Sequence, residues 1–169
     1  MGEDVFVLEL IPHVDATYRT IAERRGRAIE GFSQGGRGTA RIMFKYHELF
    51  VSAAAGGPAF SVEKQIFEND GVEFDTRRAT PERYDFGKGN DAYTLAKAYA
   101  ADPDPPLAIA LWVGTKGFNY ESVLEYMGFL YALEIPHQRF VVPEAEHSSS
   151  QLYERIGLEL MNFHAKNFE

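Results

Sequence analysis

The stretch that most constrains this chain is residues 107–113, Leu-Ala-Ile-Ala-Leu-Trp-Val, which contains no polar side chain. An apolar run of strand length with no alternation has to bury both faces. That is the situation of a strand inside a parallel sheet with helices on either side. The rest of the chain supplies matching elements. Strands are expected at 28–32, 49–55 and 139–142, and helices at 5–23, 35–50, 91–101, 121–133 and 151–168. Strand and helix alternate, so the connections are right-handed crossovers in a mostly parallel sheet of about four strands flanked by helices. Pro12 falls inside the first helix and is expected to kink or split it.

With 169 residues the chain is read as one domain, 1–169, with one sizeable core. Residues 61–90 interrupt the rhythm. They are rich in Glu, Asp, Arg and Gly with poor periodicity, and read either as a cap over a site or as a solvated loop. The formal charge of -8 argues against a generic nucleic-acid partner. There is no cysteine, which removes disulfides, thiolate metal sites and a cysteine nucleophile together. No metal site is expected, because the histidines and carboxylates lack ligand spacing. No apolar run reaches the length of a membrane span. The first residues lack a basic region followed by an apolar stretch, so no signal peptide is read. The compartment is left open.

Gly31-Phe32-Ser33-Gln34-Gly35 is a G-x-S-x-G pentapeptide between an expected strand and an expected helix. In that context the serine sits on a strained strand-to-helix turn, and small residues two before and two after it avoid collision. The turn offers the hydroxyl at the sheet's edge and points the N–H of the next residue, Gln34, at a developing oxyanion. A chain of this length holds such a pentapeptide by chance about one time in twenty, so the flanking elements carry the weight. A glycine-rich turn without chemistry is the other reading. No Lys-Ser/Thr pair follows, which argues against a nucleotide-binding loop.

A serine nucleophile needs a base. Of five histidines, His13 and His164 fall in expected helices, His47 near a helix end and His137 at a strand start. His147 lies between the last strand and the last helix. Parallel strands send all their C-terminal ends to one edge, so the His147 loop and the Ser33 turn emerge on the same side. A carboxylate that orients the imidazole completes such a set. The loop after 107–113 holds one, Glu121, which is also the kind of residue a helix N-terminus favours.

These residues resemble a known family. Leu10-Ile11-Pro12-His13-Val14-Asp15, Tyr18-Arg19-Thr20, Gly31 to Gly36, Phe44-Lys45-Tyr46, Val113-Gly114-Thr115-Lys116, Ile135-Pro136-His137, Val142-Pro143 and His147-Ser148 together resemble the esterase family of the α/β-hydrolase superfamily. That family includes esterase D-like, enterochelin-esterase-like and feruloyl-esterase-like enzymes. The resemblance implies a truncated or minimal α/β-hydrolase and cofactor-free hydrolysis of a small-molecule carboxyl ester. It implies Ser33 as nucleophile and His147 as base. Many relatives carry an aspartate where this chain has Gly117, with Glu121 as the available substitute. Relatives also have strands ahead of the first helix, along with the second oxyanion donor. The first strand is therefore expected to be an open edge. A second copy of the chain is expected to cover it, giving a homodimer or higher oligomer. The second donor is expected from the loop after Ala55 or from a partner chain. A non-catalytic remnant that keeps the turn and an acyltransferase using the same serine are the alternatives.

Overall fold

The computed structural model describes residues 2–76 and 79–168. Four parallel strands form the main sheet: β1 (Ala28–Phe32), β2 (Ser52–Gly56), β5 (Ala108–Gly114) and β6 (Gln138–Val142), in the order β1-β2-β5-β6. Their C-terminal residues lie in register, Phe32 beside Gly56, Gly56 beside Trp112, and Gly114 beside Val142. The turns after all four strands therefore open on one edge. β1 is an edge strand of the sheet, as expected.

Side chains alternate between two cores. Ile29, Ala53, Ala55, Ile109, Leu111 and Val113 face one side. There they meet α3 (Gln34–Lys45), α5 (Ala92–Ala101) and α6 (Tyr120–Ala132) through residues such as Met43, Tyr99 and Met127. Ala54, Ala110, Trp112 and Val142 face the other side and pack on α7 (Ser149–Ala165) through Leu152, Leu160 and Phe163. β5 is buried on both faces from Ile109 to Gly114, which is what its unbroken apolar run requires. A polar cluster, buried at Ser52 and His164, fastens α7 down. His164 bridges Ser52 Oγ (2.8 Å) on β2 and Glu30 Oε2 (3.0 Å) on β1, and Tyr153 donates to the other oxygen of Glu30.

Three local differences from the sequence expectation have physical causes. The first helix is split as α1 (Gly2–Asp4), a π-helical stretch over Val5–Leu10 and α2 (Ile11–Thr17). Pro12 has no N–H to return to the preceding turn, and the wider π turn lies immediately before it. The helix also stops at Thr17 and not near 23. Asp15 draws the chain away by accepting from Thr20 Oγ1 (2.8 Å) and Arg27 Nη2 (2.6 Å). The second strand starts at Ser52, after a 3-10 turn over His47–Leu49 that ends the α3 segment.

The described residues of the 61–90 segment form α4 (Phe60–Glu68) and two antiparallel strands, β3 (Val72–Asp75) and β4 (Glu82–Asp85). Within α4, Glu63 is fully buried and ionically paired. It accepts from Arg37 Nε (3.0 Å), from Arg41 Nε and Nη2 (2.9 and 2.6 Å), and from the backbone N–H of Ala92 (3.0 Å). A charge in that position survives because every lone pair has a donor.

Candidate active site

Ser33 lies between β1 and α3 with φ 58° and ψ -113°, a backbone conformation that costs a non-glycine residue roughly 1–3 kcal/mol. The surroundings hold it there. Its N–H donates to the Gly56 carbonyl (2.8 Å), and its carbonyl accepts from the Arg37 N–H (3.0 Å). The tight turn leaves no room at Gly31, where a Cβ would stand 2.4 Å from the Gly35 carbonyl oxygen. The second steric requirement falls one residue later than the pentapeptide implies. A Cβ at Gly35 would meet nothing, whereas one at Gly36 would stand 2.4 Å from the Gly56 carbonyl oxygen. The close approach is thus between α3 and the end of β2.

Gln34 opens α3, so its N–H is one of the first four that find no acceptor within the helix. In the loop after β2, the Gly57 N–H is already given to the Trp112 carbonyl (2.7 Å), and Pro58 has none to give. Those two residues do not supply the second oxyanion donor.

His147 comes from the loop after β6, three strands away from β1, a span of about 14 Å at ordinary strand spacing. The loop returns over the end of β5. Lys116 N–H donates to the Ala145 carbonyl (2.9 Å), and a Cβ at Gly114 would lie 2.3 Å from that same oxygen. The crossing delivers Nε2 of His147 to 2.9 Å from Ser33 Oγ. The rings of Phe32 and Phe118 flank the imidazole, each 4.6 Å away between centroids. Burial holds the imidazole below its ordinary pKa, so the neutral form is favoured.

The structure therefore brings Ser33 and His147 together, but it does not bring Glu121 to them. Glu121 is exposed in the first turn of α6, where the helix N-terminus favours a carboxylate. The group at His147 Nδ1 is the side-chain oxygen of Asn119, at 3.2 Å. Asn119 immediately precedes α6 and is buried, so its side chain turns into the sheet's edge while Glu121, two residues on, turns out. A search restricted to carboxylates passes over it. Among the described residues no cluster of three His, Asp or Glu side chains is placed to hold a metal, and no helix is long and apolar enough to cross a membrane.

A cavity of about 300 Å³ adjoins the serine, lined in part by Ser33, Gln34, Arg37, Val62, Phe74 and Phe118. Two of those side chains, Val62 and Phe74, come from the 61–90 segment.

With sheet, turn and imidazole in place, the class is defined: this is an α/β-hydrolase fold with the serine turn and histidine loop at its usual edge. Among solved structures it is similar to an S-formylglutathione hydrolase from Staphylococcus aureus (TM-score 0.73, 20% identity), covering 96% of this chain and 61% of that one. It is also similar to a ferulic acid esterase (TM-score 0.79, 18% identity; 99% and 61%). A third is an S-formylglutathione hydrolase from Agrobacterium tumefaciens (TM-score 0.70, 18% identity; 98% and 57%). Two curated relatives, Esterase MT1326 and Esterase Rv1288 from Mycobacterium tuberculosis strains CDC 1551 / Oshkosh and ATCC 25618 / H37Rv, are 43% identical over 58 residues. Those residues are 34% of this chain and 13% of each relative. The chain thus spans a small part of the curated relatives and about three-fifths of the first two solved structures. No protein-family model matches it.

Proposed function

We propose that this chain hydrolyses small carboxyl esters through an acyl-enzyme on Ser33. The observation that carries the reading is the 2.9 Å hydrogen bond from Ser33 Oγ to His147 Nε2 at a strained strand-to-helix turn. In the first step Ser33 Oγ attacks the ester carbonyl carbon while His147 Nε2 takes its proton. The carbonyl oxygen becomes an oxyanion beside the Gln34 N–H. Collapse expels the alcohol, which receives the proton from His147. A water then attacks the acyl-enzyme, its proton passes to Nε2, and the acid leaves as the proton returns to Ser33. With one oxyanion donor the rate falls roughly 100- to 1,000-fold below that of a two-donor site.

In this reading the 61–90 segment is the cap, since Val62 and Phe74 wall the cavity next to Ser33. The open edge of β1 is the place where a second copy of the chain pairs. The names of the similar proteins support ester or thioester substrates.

The test is direct. Ser33→Ala is expected to abolish hydrolysis of p-nitrophenyl acetate and to abolish labelling by a fluorophosphonate probe, while the native protein labels with one equivalent. Unchanged turnover in the variant, or no labelling of the native protein, overturns the proposal. A binding module that keeps the turn without chemistry is the rival reading, favoured by an amide rather than a carboxylate at Nδ1 of His147. It gives no labelling.

A further inference from the structure

We infer that Asn119 is the positioning residue of His147, a neutral amide locked in one orientation by the Pro58 carbonyl, so that the base works without a carboxylate beside it. This deepens the ester-hydrolase reading and rests on it for its meaning, but its geometry can be tested independently.

Asn119 directly precedes α6, where asparagine ordinarily caps the helix with its own side chain. Here the side chain makes no capping hydrogen bond. It spans two other turns of the sheet edge instead. Nδ2 donates to the Pro58 carbonyl (3.1 Å) in the loop after β2, and Oδ1 lies 3.2 Å from His147 Nδ1 in the loop after β6. The residue is only 2% exposed, so water does not offer a substitute for either partner. A local role has been given up for a long-range one.

The Pro58 contact decides the chemistry. A carbonyl oxygen only accepts, so the amide NH2 must face Pro58 and the amide oxygen must face His147. Nδ1 then carries the ring proton, and Nε2 presents its lone pair to the Ser33 hydroxyl. Turning the amide over would set oxygen against oxygen at Pro58 and leave Nε2 protonated toward the serine. That wrong tautomer is what disables a serine hydrolase when an unrestrained amide replaces its aspartate, at a cost of about 10,000-fold. Asn119 avoids it because its NH2 is already committed.

Space for this arrangement comes from Gly117. A Cβ there would stand 2.8 Å from Asn119 Oδ1 and 3.8 Å from the His147 Cβ. Any side chain at 117 pushes the amide off its line.

The electrostatic consequence follows from what surrounds the ring. In the loop after β6, Glu144 is exposed and paired with Lys116 of the loop after β5, and Glu146 is exposed. At the start of α6, Glu121 is exposed. On α3, Arg37 is held by Glu63 and Glu73. From the cap, Glu73 and Asp75 line the cavity beside Ser33. None of these carboxylates is bonded to the ring, and burial keeps it neutral. The base is therefore available at lower pH than in a carboxylate-backed site and is weaker when it works.

Nitrogen-detected NMR of the histidine rings in the full chain tests the inference, beside kcat and KM across pH. The native protein is expected to show the Nδ1-protonated tautomer with a midpoint below the ordinary histidine value. Asn119→Asp, isosteric but with an acceptor oxygen in place of the NH2 that Pro58 holds, is expected to raise that midpoint by roughly 1–3 units. The acid limb of kcat/KM moves by the same amount, and kcat rises. Asn119→Ala and Gly117→Ala are each expected to mix the tautomers and lower kcat at least tenfold with KM unchanged. A native ring protonated at Nε2, or an unmoved midpoint in Asn119→Asp, overturns the inference. The ring readout does not depend on turnover. Absent probe labelling with the expected tautomer would sink the hydrolase reading alone.

Discussion

At the scale of single residues, the site is a set of collisions avoided and protons assigned. Gly31 faces the Gly35 carbonyl at a distance no Cβ tolerates, while Gly35 itself faces open space. Gly31→Ala is therefore expected to disrupt the turn and remove probe labelling. Gly35→Ala is expected to raise the melting temperature by a few degrees, since alanine exceeds glycine in helix stability by about 1 kcal/mol. A melt where both variants fall equally would contradict this. Ser33 was legible in the sequence because its turn demands a fixed pattern of small residues, although the pattern misplaced the second demand by one position. His147 was legible only through topology, which sends its loop and the serine turn to one edge. Asn119 was not legible. Nothing local marks an asparagine before a helix as anything but a cap, and the far partners that redirect it, Pro58 and His147, lie 61 and 28 residues away.

At the scale of elements, legibility follows burial. β5 announces itself because both its faces are covered, and β1 because the pentapeptide closes it. α4 did not, because its most informative residue is a charged one turned inward. Glu63 reads as solvated surface until Arg37, Arg41 and the Ala92 N–H are seen around it. Removing one partner from such a buried cluster typically costs about 3–5 kcal/mol. Glu63→Ala is accordingly expected to lower the melting temperature by roughly 10 °C. The same variant should loosen the hold on β3, because Arg37 also reaches Glu73 there (3.2 Å). A melting temperature within a degree or two of native would mean that the cluster carries no net stability. The N-terminal helix shows the reverse error. Its apolar period continues past Thr17, but the hydrogen bonds of Asp15 end it.

At the scale of the whole molecule, four strands are few for two covered faces. Several helices share one face and α7 covers the other, with Leu158 and Met161 left 73% and 53% exposed on it. Among the described residues, β1 has a neighbouring strand only on its β2 side, which leaves a row of backbone groups at the edge. The expected result from light scattering at micromolar concentration is a dimer or larger species, and a clean monomer would contradict pairing at that edge. This arrangement was legible in outline, since the alternation of elements dictates the parallel sheet, whereas the occupant of the edge is not encoded in local pattern. The fastening of α7 has a consequence of its own. The helix starts two residues after His147, while His164 in its last turn grips β1, the strand that leads into Ser33. A helix about 25 Å long thus links the His147 loop to the Ser33 turn by a second route, outside the pocket. A disturbance at the far end of that helix, such as a fusion partner or a tag, is therefore expected to change the distance between Ser33 and His147.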